Sequence, residues 1–119
     1  MIESQFTTDE GFTAVIIRQS RGYRCGYVGI PKAHVCANHH YDDLPIDVHG
    51  GLTYANGYSE YPTKNNNLYW YGFDAGHYGD GSEIEPDFPV RSLDYMEDNC
   101  RSLSKQLAEL PTKNPELLI

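Results

Sequence analysis

The sequence has no uninterrupted hydrophobic run of the roughly 20 residues that a membrane helix requires. Basic residues are also few, since nine lysines and arginines stand against 17 aspartates and glutamates, for a formal net charge of -8. This shortage of positive charge argues against direct binding to nucleic acid or to an anionic membrane, because both need clustered basic side chains. An acidic chain is instead suited to a basic protein surface, unless the charge serves only solubility.

Cysteine is scarce as well, with three thiols and no CxxC pair. An odd number of cysteines at irregular spacing predicts neither a disulfide framework nor a zinc site. The first ten residues lack the basic region and apolar run of a signal peptide. We therefore expect free thiols and a cytoplasmic location. The 119 residues fit one domain, which we place at 1–110, followed by a tail at 111–119.

Hydrophobic patterning predicts a small sheet. Residues 12–19 and 23–30 are short, apolar and separated by a glycine-containing turn, which favours an antiparallel hairpin. Residues 46–55 are predicted as a strand that bends or bulges at Gly50-Gly51. Residues 68–74 form the most aromatic run of the chain and predict another strand.

The last predicted element is an amphipathic helix over 92–110. Ser92 is a suitable N-cap, and Pro111 is expected to end the helix. Apolar residues at steps of three and four predict a stripe that packs on the sheet: Leu93, Met96, Cys100, Leu103, Leu107 and Leu110. The predicted fold is α+β, with a small antiparallel sheet of three to four strands and one C-terminal helix packed on it.

The first candidate site is the segment Asp47-Val48-His49-Gly50-Gly51. On a strand, Asp47 and His49 would point to the same face. The two glycines would expose backbone N–H groups and let a ligand approach closely. The alternative interpretation is a bulged strand with a hydrogen-bonded histidine.

The second candidate site is the loop after the aromatic strand, with Asp74, His77 and Asp80 at three-residue spacing. Carboxylate and imidazole groups are ligands for zinc, manganese or iron, and they also form acid–base pairs. With His49, these side chains make up the predicted metal set. The alternative is that Asp74 and Asp80 cap the turn and that His77 is incidental.

The two segments are predicted to lie at corresponding ends of neighbouring strands. If those strands pair, Asp47, His49, Asp74 and His77 converge on one site. Trp70, on the aromatic strand, would add a ring for a ligand to stack on. The full ligand-binding prediction comprises Asp47, His49, Gly50, Gly51, Trp70, Asp74, His77 and Asp80.

Four stretches carry a resemblance to a known family: RGYRCGYVGIPKAH, YDDLPIDVHGGLTYA, YWYGFDAGHYGDG and VRSLDYMEDNCRSLSKQL. In that order they resemble a family of small uncharacterised proteins of bacteriophages and prophages. The likeness runs from Arg21 to Leu107, and HGGLTY and GFDAGHYGD are its most specific parts. The resemblance implies a phage protein in the bacterial host cytoplasm, where small acidic phage proteins often act on host defence.

The leading function hypothesis is a binding protein that inhibits a host defence component, in the manner of anti-CRISPR proteins. A variant sequesters a nucleotide signal, with the rings at 69–71 stacking a base and glycine N–H groups holding phosphate. The basic residues available for that phosphate are Arg24, Lys32 and Arg91.

Two other classes stay open. A metal-dependent hydrolase would use Asp47, His49, Asp74, His77 and Asp80. A structural protein of the virion would make subunit contacts through Leu117-Leu118-Ile119 and the aromatic strand. Because no catalytic motif stands out, we favour binding over catalysis.

Overall fold

The computed structural model describes residues 1–65, 67–77, 79–83 and 86–118. The strands are β1 (Ile2–Thr7), β2 (Thr13–Arg18), β3 (Arg24–Pro31), β4 (Tyr54–Asn56) and β5 (Leu68–Asp74). One α-helix, α1 (Leu93–Lys113), follows them, and short 3-10 turns cover Tyr41–Asp43 and Pro115–Leu118. The strands form a single antiparallel sheet in the order β1-β2-β3-β5-β4. The predicted α+β class, with one antiparallel sheet and one C-terminal helix, is confirmed.

The predicted hairpin is the centre of this sheet. β2 and β3 pair antiparallel from Thr13↔Gly29 to Arg18↔Arg24. Gly22 closes the turn at a φ of 92°, a conformation that glycine adopts without a steric penalty. β5 then pairs with the other side of β3. The C-terminal end of β5 therefore lies at the border of the sheet from which β3 begins.

The strand count differs from the prediction, because the sheet has five strands rather than three or four. β1 was missed, since it is an edge strand whose side chains are exposed or half-buried and whose sequence, IESQFT, carries little apolar signal. The predicted strand at 46–55 is wrong for most of its length, and only Tyr54–Asn56 pairs with β5. Gly50 and Gly51 have φ values of 70° and 80°, which turn the chain instead of bulging a strand.

The helix covers one face of the sheet, as its apolar stripe predicted. Met96, Cys100, Leu103, Leu107 and Leu110 are buried, and Leu93 packs against them. Ser92 is the N-cap, and its Oγ accepts from the N–H of Tyr95 at 3.1 Å. Contact with β3 is very close at Gly26, where a Cβ would lie 2.6 Å from the Phe73 ring and 2.9 Å from Cys100 Sγ. This glycine sets how near the helix approaches the sheet.

The opposite face of the sheet has a smaller core of Val15, Ile17, Cys25, Tyr27 and Trp70. Tyr61 covers it, with its ring 5.3 Å from that of Tyr27 in an edge contact and the two hydroxyls 2.9 Å apart. Trp70 is only 2% exposed. Its ring is therefore core and does not present a face to a ligand.

All three cysteines are free, and all three are buried. Within the described ranges, no helix has the length and apolar character needed to cross a bilayer.

The helix does not end at Pro111 as predicted. It continues to Lys113, so the first residues of the predicted tail are helical. Proline has no N–H to donate to the carbonyl four residues earlier, which is that of Leu107. The thiol of Cys36 donates to this carbonyl instead, with Sγ and O 3.4 Å apart. The loop before β4 thereby supplies the contact that the helix lacks.

Replacing Pro111 with alanine is expected to stabilise the protein by about 1 kcal/mol, because alanine restores the helical N–H and has a far higher helix propensity. Urea unfolding of the two proteins measures this difference. The matched control is Thr112→Ala, an exposed change in the same turn of the helix. An equal or lower free energy of unfolding for Pro111→Ala would contradict this account of the helix end.

Candidate functional site

Two loops and the first turns of α1 meet at one end of the sheet, close to the end of β5. His49 lies in a turn of the loop before β4 and not on a strand, so the predicted shared face with Asp47 is wrong. Its backbone N–H donates to Asn99 Oδ1 on α1 at 3.1 Å. Asp47 is exposed, and its backbone pairs with the Gln106 side chain through two hydrogen bonds. The helix therefore holds this loop from His49 back to Asp47.

Asp80 is the centre of the polar contacts at this end. It is 3% exposed, and its Oδ2 accepts from His49 Nε2 at 2.9 Å and from the backbone N–H of His77 at 3.2 Å. Its Oδ1 accepts from Arg91 Nε at 2.9 Å. Burial alone would raise the pKa of the Asp80 carboxyl, but the hydrogen bonds from His49 and Arg91 outweigh it and hold that pKa below its usual value. The carboxylate is therefore ionised at neutral pH.

The ionised carboxylate fixes the tautomer of His49. A carboxylate only accepts hydrogen bonds, so His49 Nε2 carries the proton that lies between them. In the neutral imidazole, Nδ1 then holds a lone pair, and the Tyr95 hydroxyl 2.7 Å away must donate to it. With a neutral imidazole, Asp80, His49 and Tyr95 are thus a carboxylate, an imidazole that it orients, and a hydroxyl that donates to that imidazole.

Arg91 and Tyr95 flank this network on the surface. The Arg91 guanidinium lies 5.3 Å from the centre of the Tyr95 ring, in a cation–π contact. The hydrogen bond to Asp80 raises the pKa of Arg91 further. Neither Arg91 nor Tyr95 was predicted as part of the histidine site. His49 and Tyr95 are 46 positions apart, and no local pattern reports a contact at that distance.

A second acid–imidazole pair lies beside the first. His77 Nε2 is 3.3 Å from Asp74 Oδ1 without a hydrogen bond between them, and the rings of His77 and His49 have centroids 6.3 Å apart. Asp74 Oδ1 also accepts from the N–H of Gly76 at 3.0 Å, so Asp74 caps the turn. The His77 ring lies directly against Gly50, where a Cβ would come within 2.5 Å of it. Three of the four residues predicted to converge, His49, Asp74 and His77, are therefore close together.

Asp80 and His49, two of the predicted metal ligands, already have hydrogen-bond partners within the chain. In the parts of the chain that the structure describes, no three histidine, cysteine or acidic side chains are placed to hold a metal ion together. Both oxygens of Asp80 are hydrogen-bonded, one of them to a guanidinium, which carries the charge that a cation would bring. His49 likewise uses both ring nitrogens within the chain.

The side chains predicted to bind a nucleotide are likewise buried or already in contact with other groups of the chain. Tyr69, Trp70 and Tyr71 are all buried, so none of these rings is open to a base. The three basic side chains considered for phosphate all have partners. Arg24 bonds Glu3 at 2.6 Å, Arg91 bonds Asp80, and the Lys32 ammonium lies 4.7 Å from the centre of the Tyr58 ring.

We compared the chain with protein-family models, with curated proteins and with solved structures, and found no match.

Proposed function

We propose that this chain is a binding protein that acts by occupying a basic surface of a partner protein. The observation that carries the proposal is an exposed acidic surface around the start of α1, which we call the 83–98 surface. Among the residues of this surface that the structure describes, Glu83, Asp87, Asp94 and Asp98 are exposed and Glu97 is half-buried. The one basic residue between them, Arg91, is paired with Asp80.

Apolar side chains are interspersed with these charges. Val90 is 37% exposed and Tyr95 is 36% exposed, and Phe88 is exposed to a similar extent. Large apolar and aromatic side chains among polar ones are typical of protein interfaces, where they supply most of the binding energy. Carboxylates around them select a partner of opposite charge and speed its association. The combination favours a basic, partly apolar protein surface as the ligand.

The hydrogen-bond network behind this surface fits the same role. Asp80 ties the segment that leads into α1 to the loop that carries His49, through Arg91 on one oxygen and His49 on the other. A surface whose backbone is fixed before binding loses less entropy on association. The cluster that the sequence predicts as a site is, in this proposal, the support of the binding surface.

The resemblance to bacteriophage proteins and the negative charge support a host defence protein as the partner. A phage protein in the host cytoplasm meets defence proteins whose basic surfaces hold nucleic acid. We propose that the 83–98 surface covers such a basic surface and so inhibits a host defence component. In this proposal the inhibitor binds without turnover.

Charge reversal on the 83–98 surface is expected to weaken partner binding by about tenfold or more, because it places like charges against the basic partner. The test variant is Asp87→Lys with Asp94→Lys, and both positions are exposed. The partner is first isolated by affinity capture from the bacterial host and identified by mass spectrometry. Dissociation constants for the purified pair then come from isothermal titration calorimetry at two salt concentrations.

The matched control is Asp9→Lys with Glu60→Lys, two exposed acidic residues outside the 83–98 surface. It changes the net charge by the same amount and is expected to keep the dissociation constant within about twofold, as screened distant charges do. Equal weakening by both double variants would mean that only the total charge matters. No weakening by the Asp87 and Asp94 variant would overturn the assignment of the surface.

A further inference from the structure

The Tyr95 hydroxyl is in the arrangement of an activated nucleophile. When the imidazole of His49 is neutral, this hydroxyl donates to His49 Nδ1 over 2.7 Å, while His49 Nε2 is held by the Asp80 carboxylate over 2.9 Å. A nucleophile, a base and a group that orients the base are the three parts of a catalytic triad, which is recognised by geometry and not by sequence order. Here the parts come from α1, from the loop before β4 and from the loop after β5.

Exposure to solvent increases from Asp80 through His49 to Tyr95. Asp80 is buried, the His49 side chain is 13% exposed, and Tyr95 is 36% exposed. The orienting carboxylate is therefore shielded from water, while the Tyr95 side chain reaches the surface of the protein.

The charges around Tyr95 indicate which electrophile it would accept. The Arg91 guanidinium lies against its ring, and the Arg91 side chain is 37% exposed. The bond to Asp80 uses its Nε, and a guanidinium carries further N–H donors of the kind that hydrogen-bond the oxygens of a phosphoryl group. Tyr95 also lies in the first turn of the 21-residue helix α1, where the helix dipole stabilises negative charge that develops on its oxygen.

We propose that Tyr95 is a nucleophile for phosphorus electrophiles, with His49 as its base, Asp80 as the residue that positions the base, and Arg91 as the group that holds a phosphoryl oxygen. Tyr95 Oη forms a bond to phosphorus, and the bond from phosphorus to the leaving group breaks with its electron pair. The hydroxyl proton passes to His49 Nδ1, and the resulting imidazolium is stabilised by Asp80. The product is a phosphorylated tyrosine together with the free leaving group.

This reaction goes beyond partner binding and does not depend on it, since it concerns one side chain of the free protein. The probe is diisopropyl fluorophosphate, from which fluoride leaves. Modification is followed over time for each tyrosine by peptide mass spectrometry on the full chain.

The comparison within one molecule is between Tyr95 and Tyr58. Tyr58 is the more exposed of the two, at 77%, and its hydroxyl donates to the Asn38 amide oxygen, which is not a base. Exposure alone therefore predicts faster modification of Tyr58. We expect Tyr95 to react at least about tenfold faster than Tyr58, since a positioned general base accelerates such steps by about a hundredfold or more.

The second comparison is His49→Gln, in which the amide retains a donor and an acceptor but cannot take the proton. We expect the Tyr95 rate to fall to that of Tyr58 while the Tyr58 rate stays unchanged, with folding checked by circular dichroism. A wild-type Tyr95 rate no higher than that of Tyr58 overturns the proposal, even if the variant does not fold. An undiminished Tyr95 rate in folded His49→Gln protein also overturns it.

Discussion

Replacing Asp80 with alanine is expected to lower the free energy of unfolding by about 3 kcal/mol, the largest single effect that we foresee among polar substitutions. The change removes a buried carboxylate and leaves His49, Arg91 and the N–H of His77 without their acceptor. Groups that lose a buried partner retain the cost of desolvation without its compensation. Urea unfolding at pH 7 measures the loss, and Asp87→Ala, an exposed carboxylate in the same part of the chain, is the control.

The contribution of the Asp80 carboxylate can also be tested through the dependence of stability on pH. Because the folded pKa of Asp80 is lowered, its stabilisation is fully present above the unfolded pKa, about 3.9 for aspartate, and is lost as pH falls through the folded value. Wild-type stability should therefore fall on acidification below about pH 4 more than that of Asp80→Ala. If the two proteins differ by a constant amount from pH 7 to pH 3, the carboxylate does not contribute as an ion.

Replacing Gly26 with alanine is expected to destabilise the protein by about 2–3 kcal/mol, since one added methyl group overpacks a filled core. Its Cβ would lie 2.6 Å from the Phe73 ring and 2.9 Å from Cys100 Sγ, both at the contact of α1 with the sheet. To make room, the helix must move away or the ring must leave its rotamer. Because α1 also carries Tyr95 and Asn99, a shifted helix would lengthen their contacts with His49.

A double-mutant cycle separates this steric effect from the general cost of a substitution in a strand. In a Phe73→Leu background the ring atoms that meet the new methyl group are gone, so Gly26→Ala should cost at least about 1 kcal/mol less than in the wild type. The measurement is urea unfolding of the four proteins of the cycle. Equal costs in the two backgrounds would show that contact with the Phe73 ring is not the cause.

Local patterns were sufficient for several elements of this fold. The hairpin of β2 and β3, the aromatic strand β5 and the helix from Ser92 all carry their signal within a short window of sequence. Alternation, turn glycines and three- and four-residue apolar steps reflect the geometry of single elements. Where such a signal was weak, as in the polar edge strand β1, the prediction failed. It also failed where a pattern implied an element that the backbone does not form, as at 46–55.

The candidate site, like the fold, was predicted from the sequence only in part. The sequence alone determined that His49, Asp74, His77 and Asp80 stand out, because histidine and aspartate beside turn glycines are unusual in a strand or helix interior. The burial of Asp80 and Trp70, and the contacts of Tyr95 and Arg91 with the network, are visible only in the folded chain. Those facts depend on how two loops and the first turn of α1 meet at the end of β5. Contacts between residues as far apart as His49 and Tyr95 arise from tertiary packing, which produces no periodic pattern in the sequence.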